Sequence, residues 1–99
     1  MDESSQILID FNKRAQKIFF PLYEKFKESA KLLDRVRDDN VFQQQQSKYL
    51  QTLKQQLESL ALEILNKNRS VGKNSQLNKK LTDEINEYVN EFRQKSRSL

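Results

Sequence analysis

Apolar residues recur along the chain at the spacing of helices packed along a seam. A seven-residue column passes through Leu8, Ala15, Leu22, Ser29, Val36, Gln43, Leu50, Leu57, Ile64 and Val71. In the first third, companions at plus four place Ala15, Phe19, Leu22, Phe26, Leu33 and Val36 on one face. In the middle third the companions come at plus three, giving Leu50, Leu53, Leu57, Leu60 and Ile64, with Ala61 and Leu65 widening the stripe. A last stripe holds Leu77, Leu81, Ile85, Tyr88 and Phe92, beside Val89. These patterns predict three amphipathic helices, over about 4–38, 41–67 and 76–96.

The boundaries carry different strengths of signal. From residue 34 to residue 48 only Val36, Val41 and Phe42 are apolar, and Gln43 to Gln46 fill would-be seam positions. Asp38, Asp39 and Asn40 supply N-cap chemistry, and Asn40 with Gln43 has the form of a capping box. No glycine or proline enforces a turn there, so one continuous helix from about 5 to 68 is the alternative. A short reversal is favoured because it lets the Phe-rich and Leu-rich stripes cover each other. Residues 66–75 form the clear break, where Gly72 suits a positive φ and asparagine or serine suits the N-cap of the last helix. In that helix Asp83, Glu84 and Glu87 precede Arg93, Lys95 and Arg97, an order that complements the helix dipole. Pro21 interrupts the first helical pattern by removing the donor to the Lys17 carbonyl, so a kink or restart is expected near Phe20.

The fold class expected is therefore all-α: an elongated three-helix bundle or antiparallel coiled coil, forming one unit over residues 1–99. Composition agrees with this reading. One glycine and one proline in 99 residues leave little punctuation for sheets and turn-rich folds. The hydrophobic share of 35% and mean hydropathy of −0.92 leave little apolar material for a self-contained core. Apolar runs reach only three residues, as at Ile7 to Ile9 and Ile18 to Phe20, and fall far short of the roughly 20 residues of a membrane span. Acidic Asp2, Glu3 and Asp10 come before any basic residue, which fits neither a secretory leader nor a transit peptide. A soluble intracellular protein, cytoplasmic or nuclear, is expected.

Candidate chemistry is sparse. With no cysteine and no histidine, the chain lacks thiol nucleophiles, imidazole acid-base groups and the usual zinc ligands. A single glycine cannot build a phosphate-cradling loop. Carboxylates at helical spacing, such as Glu24 with Glu28 and Glu87 with Glu91, read as exposed helix surface. No enzyme activity, metal or cofactor is expected. Charge is uneven: residues 40–81 carry seven basic and two acidic side chains within a net charge of +4. Lys67, Arg69, Lys73, Lys79 and Lys80 surround the second break without an acid among them, a candidate anion contact. Nucleic-acid binding is not favoured, since stacking aromatics and a recognisable motif are missing there. Phe11 to Lys27 has the composition of a basic amphipathic helix, so peripheral contact with an anionic membrane is an alternative.

The crowding of Phe19, Phe20, Leu22, Tyr23 and Phe26 around Pro21 exceeds what one narrow seam can bury. Together with Leu33, Leu50, Leu53, Leu57, Leu60, Ile64, Leu81, Ile85, Tyr88 and Phe92, these residues are the expected partner interface. In size and texture the chain is similar to small helical subunits of intracellular assemblies such as kinetochore, transcription Mediator, organelle-biogenesis and vesicle-tethering complexes. It also looks like three-helix bundles of the syntaxin N-terminal and tubulin-folding-cofactor type. That likeness rests on pattern and carries no residue roles. The expected function is a non-catalytic scaffold or adaptor subunit held to other helical proteins, a hetero-oligomer ahead of a homo-oligomer. The alternatives are a membrane-surface or trafficking-associated bundle, or a basic helical protein weakly associated with nucleic acid.

Overall fold

A computed structural model of the chain describes residues 3–34, 36–67 and 75–97. Those residues form an all-α fold of three helices: α1, Glu3–Lys31; α2, Asp39–Lys67; and α3, Ser75–Arg97. Every pair of helices is in contact, and the bundle is a rod 52 Å long and 19 by 18 Å across. Arg14 on α1 meets Glu63 on α2, and Phe26 meets Phe42 and Tyr49, which sets these two helices antiparallel. Asn12 meets Tyr88, and Tyr23 meets Lys95, so α1 and α3 run parallel.

The core-facing stripe of α1 begins Ile7, Phe11, Ala15, Phe19 and resumes at Phe26 and Ala30, with Leu22 and Tyr23 half-buried between. A four-residue step overshoots the 3.6-residue turn, so the stripe drifts around the helix and is covered by α2 and by α3. Ile7 is buried at the start of α1, where the seven-residue column pointed to Leu8. On α2 the buried set is Phe42, Leu53, Leu57, Leu60, Ala61 and Ile64. On α3 it is Leu77, Leu81, Ile85, Phe92 and the hydroxyl residue Ser96.

The reversal between the first two helices is present, but it comes earlier than expected. The first helix stops at Lys31, seven residues before position 38. Leu32 and Leu33 donate to the carbonyls of Ser29 and Ala30, tightening the last turn. The Asp34 carboxylate then accepts from the Val36 and Arg37 amides at 2.9 and 3.2 Å, giving the backbone a turn instead of another helical bond. Asp38 heads α2, its carbonyl accepting from Phe42 and its carboxylate from the Asp34 amide. The capping box expected from Asn40 and Gln43 is not formed; Gln43 instead donates to the Asp39 carboxylate at 2.9 Å. Val36, assigned to the seam by the sequence pattern, sits on this turn and is 92% exposed.

At Pro21 the helix continues without a restart, since α1 is unbroken from Glu3 to Lys31. The missing Pro21 donor falls on an exposed residue, where water can serve the Lys17 carbonyl. The basic break expected over 66–75 lies for the most part outside the described residues, Gly72 included. Asn66 and Lys67 belong to α2, and Ser75 to α3.

Aromatic rings fill the end of the bundle nearer the α1–α2 turn. Phe92 meets Phe19, Tyr23 and Phe26 with ring centroids at 5.7, 5.5 and 5.7 Å, and Phe26 also meets Phe42 and Tyr49. Edge and tilted arrangements of this kind add to the apolar burial. The polar exception is the pair Gln46 and Ser96. The Gln46 amide donates to the Ser96 hydroxyl, which in turn donates to the Arg93 carbonyl at 2.9 Å. The glutamine run therefore places one of its members across the α2–α3 seam. Ser96→Ala is expected to lower stability by about 1 kcal/mol, measured by urea unfolding, because it leaves Gln46 without that partner.

Candidate interaction surfaces

The residues expected to meet a second chain lie mostly inside this one. Phe19, Phe26, Leu53, Leu57, Leu60, Ile64, Leu81, Ile85 and Phe92 are buried in the intramolecular core. Leu22, Tyr23, Leu33, Leu50 and Tyr88 are half-buried against it. That expectation rested on a narrow seam, whereas the drifting stripe of α1 and the widened stripe of α2 are broad enough for three helices to close around one another. Phe20 is the exception: it turns outward and is 53% exposed, its ring edge-on to Phe19 at 5.7 Å.

The basic group around the second break is only partly described. Lys67 closes α2 and pairs with Glu63 at 3.5 Å. Lys79 and Lys80 lie exposed on the first turns of α3, while Arg69 and Lys73 fall outside the described residues.

Three surface features stand out. The first is a groove of about 300 Å³ between α2 and α3, bounded by Ala61, Leu62, Leu65, Leu81 and Ile85, with Glu58, Asn78 and Thr82 at its edge. Leu62 is 61% exposed on its rim, whereas Leu81 and Ile85 are buried beneath. Sequence reasoning did not single out Leu62. Its signal was the run from Leu60 to Leu65, in which Glu63 alone is polar, an apolar arc too wide for a seam that already used Leu60, Ala61, Ile64 and Leu65.

The second is a larger, more polar hollow of about 670 Å³ between α1 and α2, lined by Arg14, Lys17, Ile18, Gln55 and Glu63 among others. The Arg14 guanidinium bridges it, 3.2 Å from Glu63 and 3.9 Å from Asp10. The hydrogen bond and charge of Arg14, helped by Lys67, hold the Glu63 carboxyl below its ordinary value. Arg14 and Glu63 on facing walls of this hollow are thus already matched to each other.

The third is the cleft between α1 and α3, where Gln16 faces Glu84, Glu87, Tyr88 and Glu91. The Tyr88 hydroxyl donates to the Asn12 side-chain oxygen at 2.8 Å, fixing the register of the two helices. Partial burial and the neighbouring Glu87 push the Glu84 carboxyl above its ordinary value against the opposing hydrogen bond of Asn12, and Asp83 adds to the rise. A carboxylate whose folded pKa is raised weakens the fold above that pKa and ceases to do so once pH falls below the unfolded value. Glu84→Gln should therefore raise the melting temperature of dilute protein at neutral pH, and the gain should vanish as pH falls below about 4.5. Thermal melts of both proteins between neutral and acid pH check this.

No group of acidic residues able to hold a metal ion occurs among the described residues, and no helix there is long and apolar enough to cross a membrane. Comparison with protein-family models, with curated proteins and with solved structures gave no match.

Proposed function

We propose that the chain is a non-catalytic scaffold or adaptor module that folds by closing its own three helices and receives a helix of a partner protein along the α2–α3 groove. The observation carrying this reading is Leu62. A large aliphatic side chain stands 61% exposed beside Leu65 and above buried Leu81 and Ile85. An amphipathic helix laid in such a groove gains affinity by covering apolar side chains that the fold leaves open. Glu58, Asn78 and Thr82 at the rim give polar contacts that fix orientation. Association under this reading is an act of a folded module rather than the condition of its folding. The setting we propose is the cell interior, cytoplasm or nucleus, with a helical protein as the partner.

Leu62→Asp is the discriminating change. Proteins that co-purify with the tagged chain from its native cell should fall at least about tenfold for this variant, with helicity by circular dichroism unchanged. The control Gln44→Asp, exposed on α2 away from the groove, should retain them. Equal retention by both variants would contradict the groove as the capture site.

A further inference from the structure

The α2–α3 groove does not end at its apolar part. On α2, Glu58, Lys54 and Ser47 precede Leu65 by seven, eleven and eighteen residues, spacings that return to the same side of a helix. On α3, Asn86, Val89, Arg93 and Arg97 follow Thr82 by four, seven, eleven and fifteen residues, so they continue the lip on which Thr82 stands. The two helices run antiparallel, Gln46 meeting Ser96 at one end while Leu65 and Asn78 border the groove at the other. By helix rise, Arg93 and Arg97 lie about 16 and 22 Å from Thr82 along the rod. Groove and continuation thus form one track, apolar at Leu62 and Leu65 and polar toward Ser96.

Charge at the polar end of this track has one sign. Lys54, Arg93 and Arg97 are exposed and enter no ion pair among the described residues. From Asn40 to Leu57, α2 has no acidic residue. The acids that follow Asn86 on α3, Glu87 and Glu91, line the cleft on the α1 side, and Glu91 is taken by Lys95 at 3.4 Å. Glu58 and Asp83 border the track at its apolar end, along with Lys79.

We propose that the helix received by this groove is acidic, an assignment that rests on the groove being the capture site. Aliphatic side chains of that helix cover Leu62 and Leu65, and carboxylates about eleven and fifteen residues along it pair with Arg93 and Arg97, with Lys54 across the track. An arginine guanidinium holds a carboxylate through two parallel N–H bonds, which gives this end of the track geometric selectivity as well as charge. A partner helix of about 20 residues spans the distance from Asn78 to Arg97, and its order of apolar and acidic positions fixes which way it lies. Nucleic acid fits less well, because no aromatic side chain lies among the residues of the track to stack on a base.

Two synthetic helical peptides of about 20 residues test the assignment. Each carries leucines at four-residue spacing toward one end, and eleven and fifteen residues farther on one has glutamates and the other lysines. Titrated with the full chain and followed by fluorescence anisotropy, the glutamate peptide should bind at least about tenfold more tightly than the lysine peptide, and less tightly as salt rises. Arg93→Glu with Arg97→Glu should reverse the preference at unchanged helicity, since both side chains are exposed. The same pair of reversals on α1, Lys13→Glu with Lys17→Glu, should leave binding within about twofold. Equal binding of the two peptides, lost in Leu62→Asp, would overturn the acidic partner and keep the groove. A glutamate peptide held as tightly by Leu62→Asp as by the wild type would overturn the groove itself and the proposal with it. A glutamate peptide that fails to bind the wild type at high micromolar concentration overturns the proposal. So does tighter binding of a uridine oligonucleotide of the same length that is lost on the same arginine reversals, by assigning Arg93 and Arg97 to phosphate.

Discussion

Leu57→Asp should leave the chain without a cooperative folding transition. Leu57 is fully buried on α2, near the middle of the rod, with Leu53, Leu60, Ala61 and Ile64 beside it. Losing the leucine side chain alone removes about 2–5 kcal/mol of packing. The carboxylate that replaces it has no cation within the core and must either stay protonated or open the bundle to water, which adds several kcal/mol more. A domain of this size holds roughly 5–15 kcal/mol in total. The substitution therefore consumes most of that margin, and far-UV circular dichroism should show broad, low helicity at neutral pH, with some recovery in acid. A cooperative melt within about 5 °C of the wild type would show that Leu57 is not where the structure places it.

The second large effect belongs to Phe92. Its ring touches Phe19, Tyr23 and Phe26, so it ties α3 into the aromatic end of the bundle. Phe92→Ala should cost about 3–5 kcal/mol, read from the midpoint of urea unfolding, because rigid neighbours cannot collapse into the space of a lost ring. Phe92→Leu keeps most of the volume and should cost roughly 1–2 kcal/mol. Phe20→Ala, only one residue from Phe19 but turned outward, should cost well under about 1 kcal/mol. The contrast between Phe92 and Phe20 separates interior from surface more sharply than either change alone.

Periodicity made the helices themselves legible, because the apolar spacing over Leu50 to Ile64 and Leu77 to Phe92 leaves little choice of period, and those side chains are buried or half-buried as the pattern requires. The end of α1 was not legible from the same signal. Leu33 and Val36 continue the column, but the Asp34 side chain captures two amides ahead of it and breaks the helix locally. A one-residue turn device of this kind outweighs a weak apolar pattern and leaves no periodic trace. That the residues expected to meet a partner lie mostly in the intramolecular core was not legible for a different reason. Amphipathicity reports that a face is covered and carries no information on which chain covers it. Three stripes of similar length on a single chain cover one another, and large apolar residues that stay exposed, such as Leu62 and Phe20, lie off the seams.

Surface electrostatics obey the same logic. The ion pairs of Arg14, Lys67 and Lys95 lie at exposed positions and add little to stability. Lys95 does more through its position over the Phe19 ring, 5.6 Å from the centroid, where its stem covers apolar surface.

The claim on which the rest depends is that one chain supplies its own core. Helicity by circular dichroism, monitored alongside mass by light scattering over a hundredfold dilution, addresses it most directly. The account predicts full helicity at the lowest concentration, where the scattering reports a monomer. Helicity that falls together with the mass would contradict it, since the core would then be shared between chains.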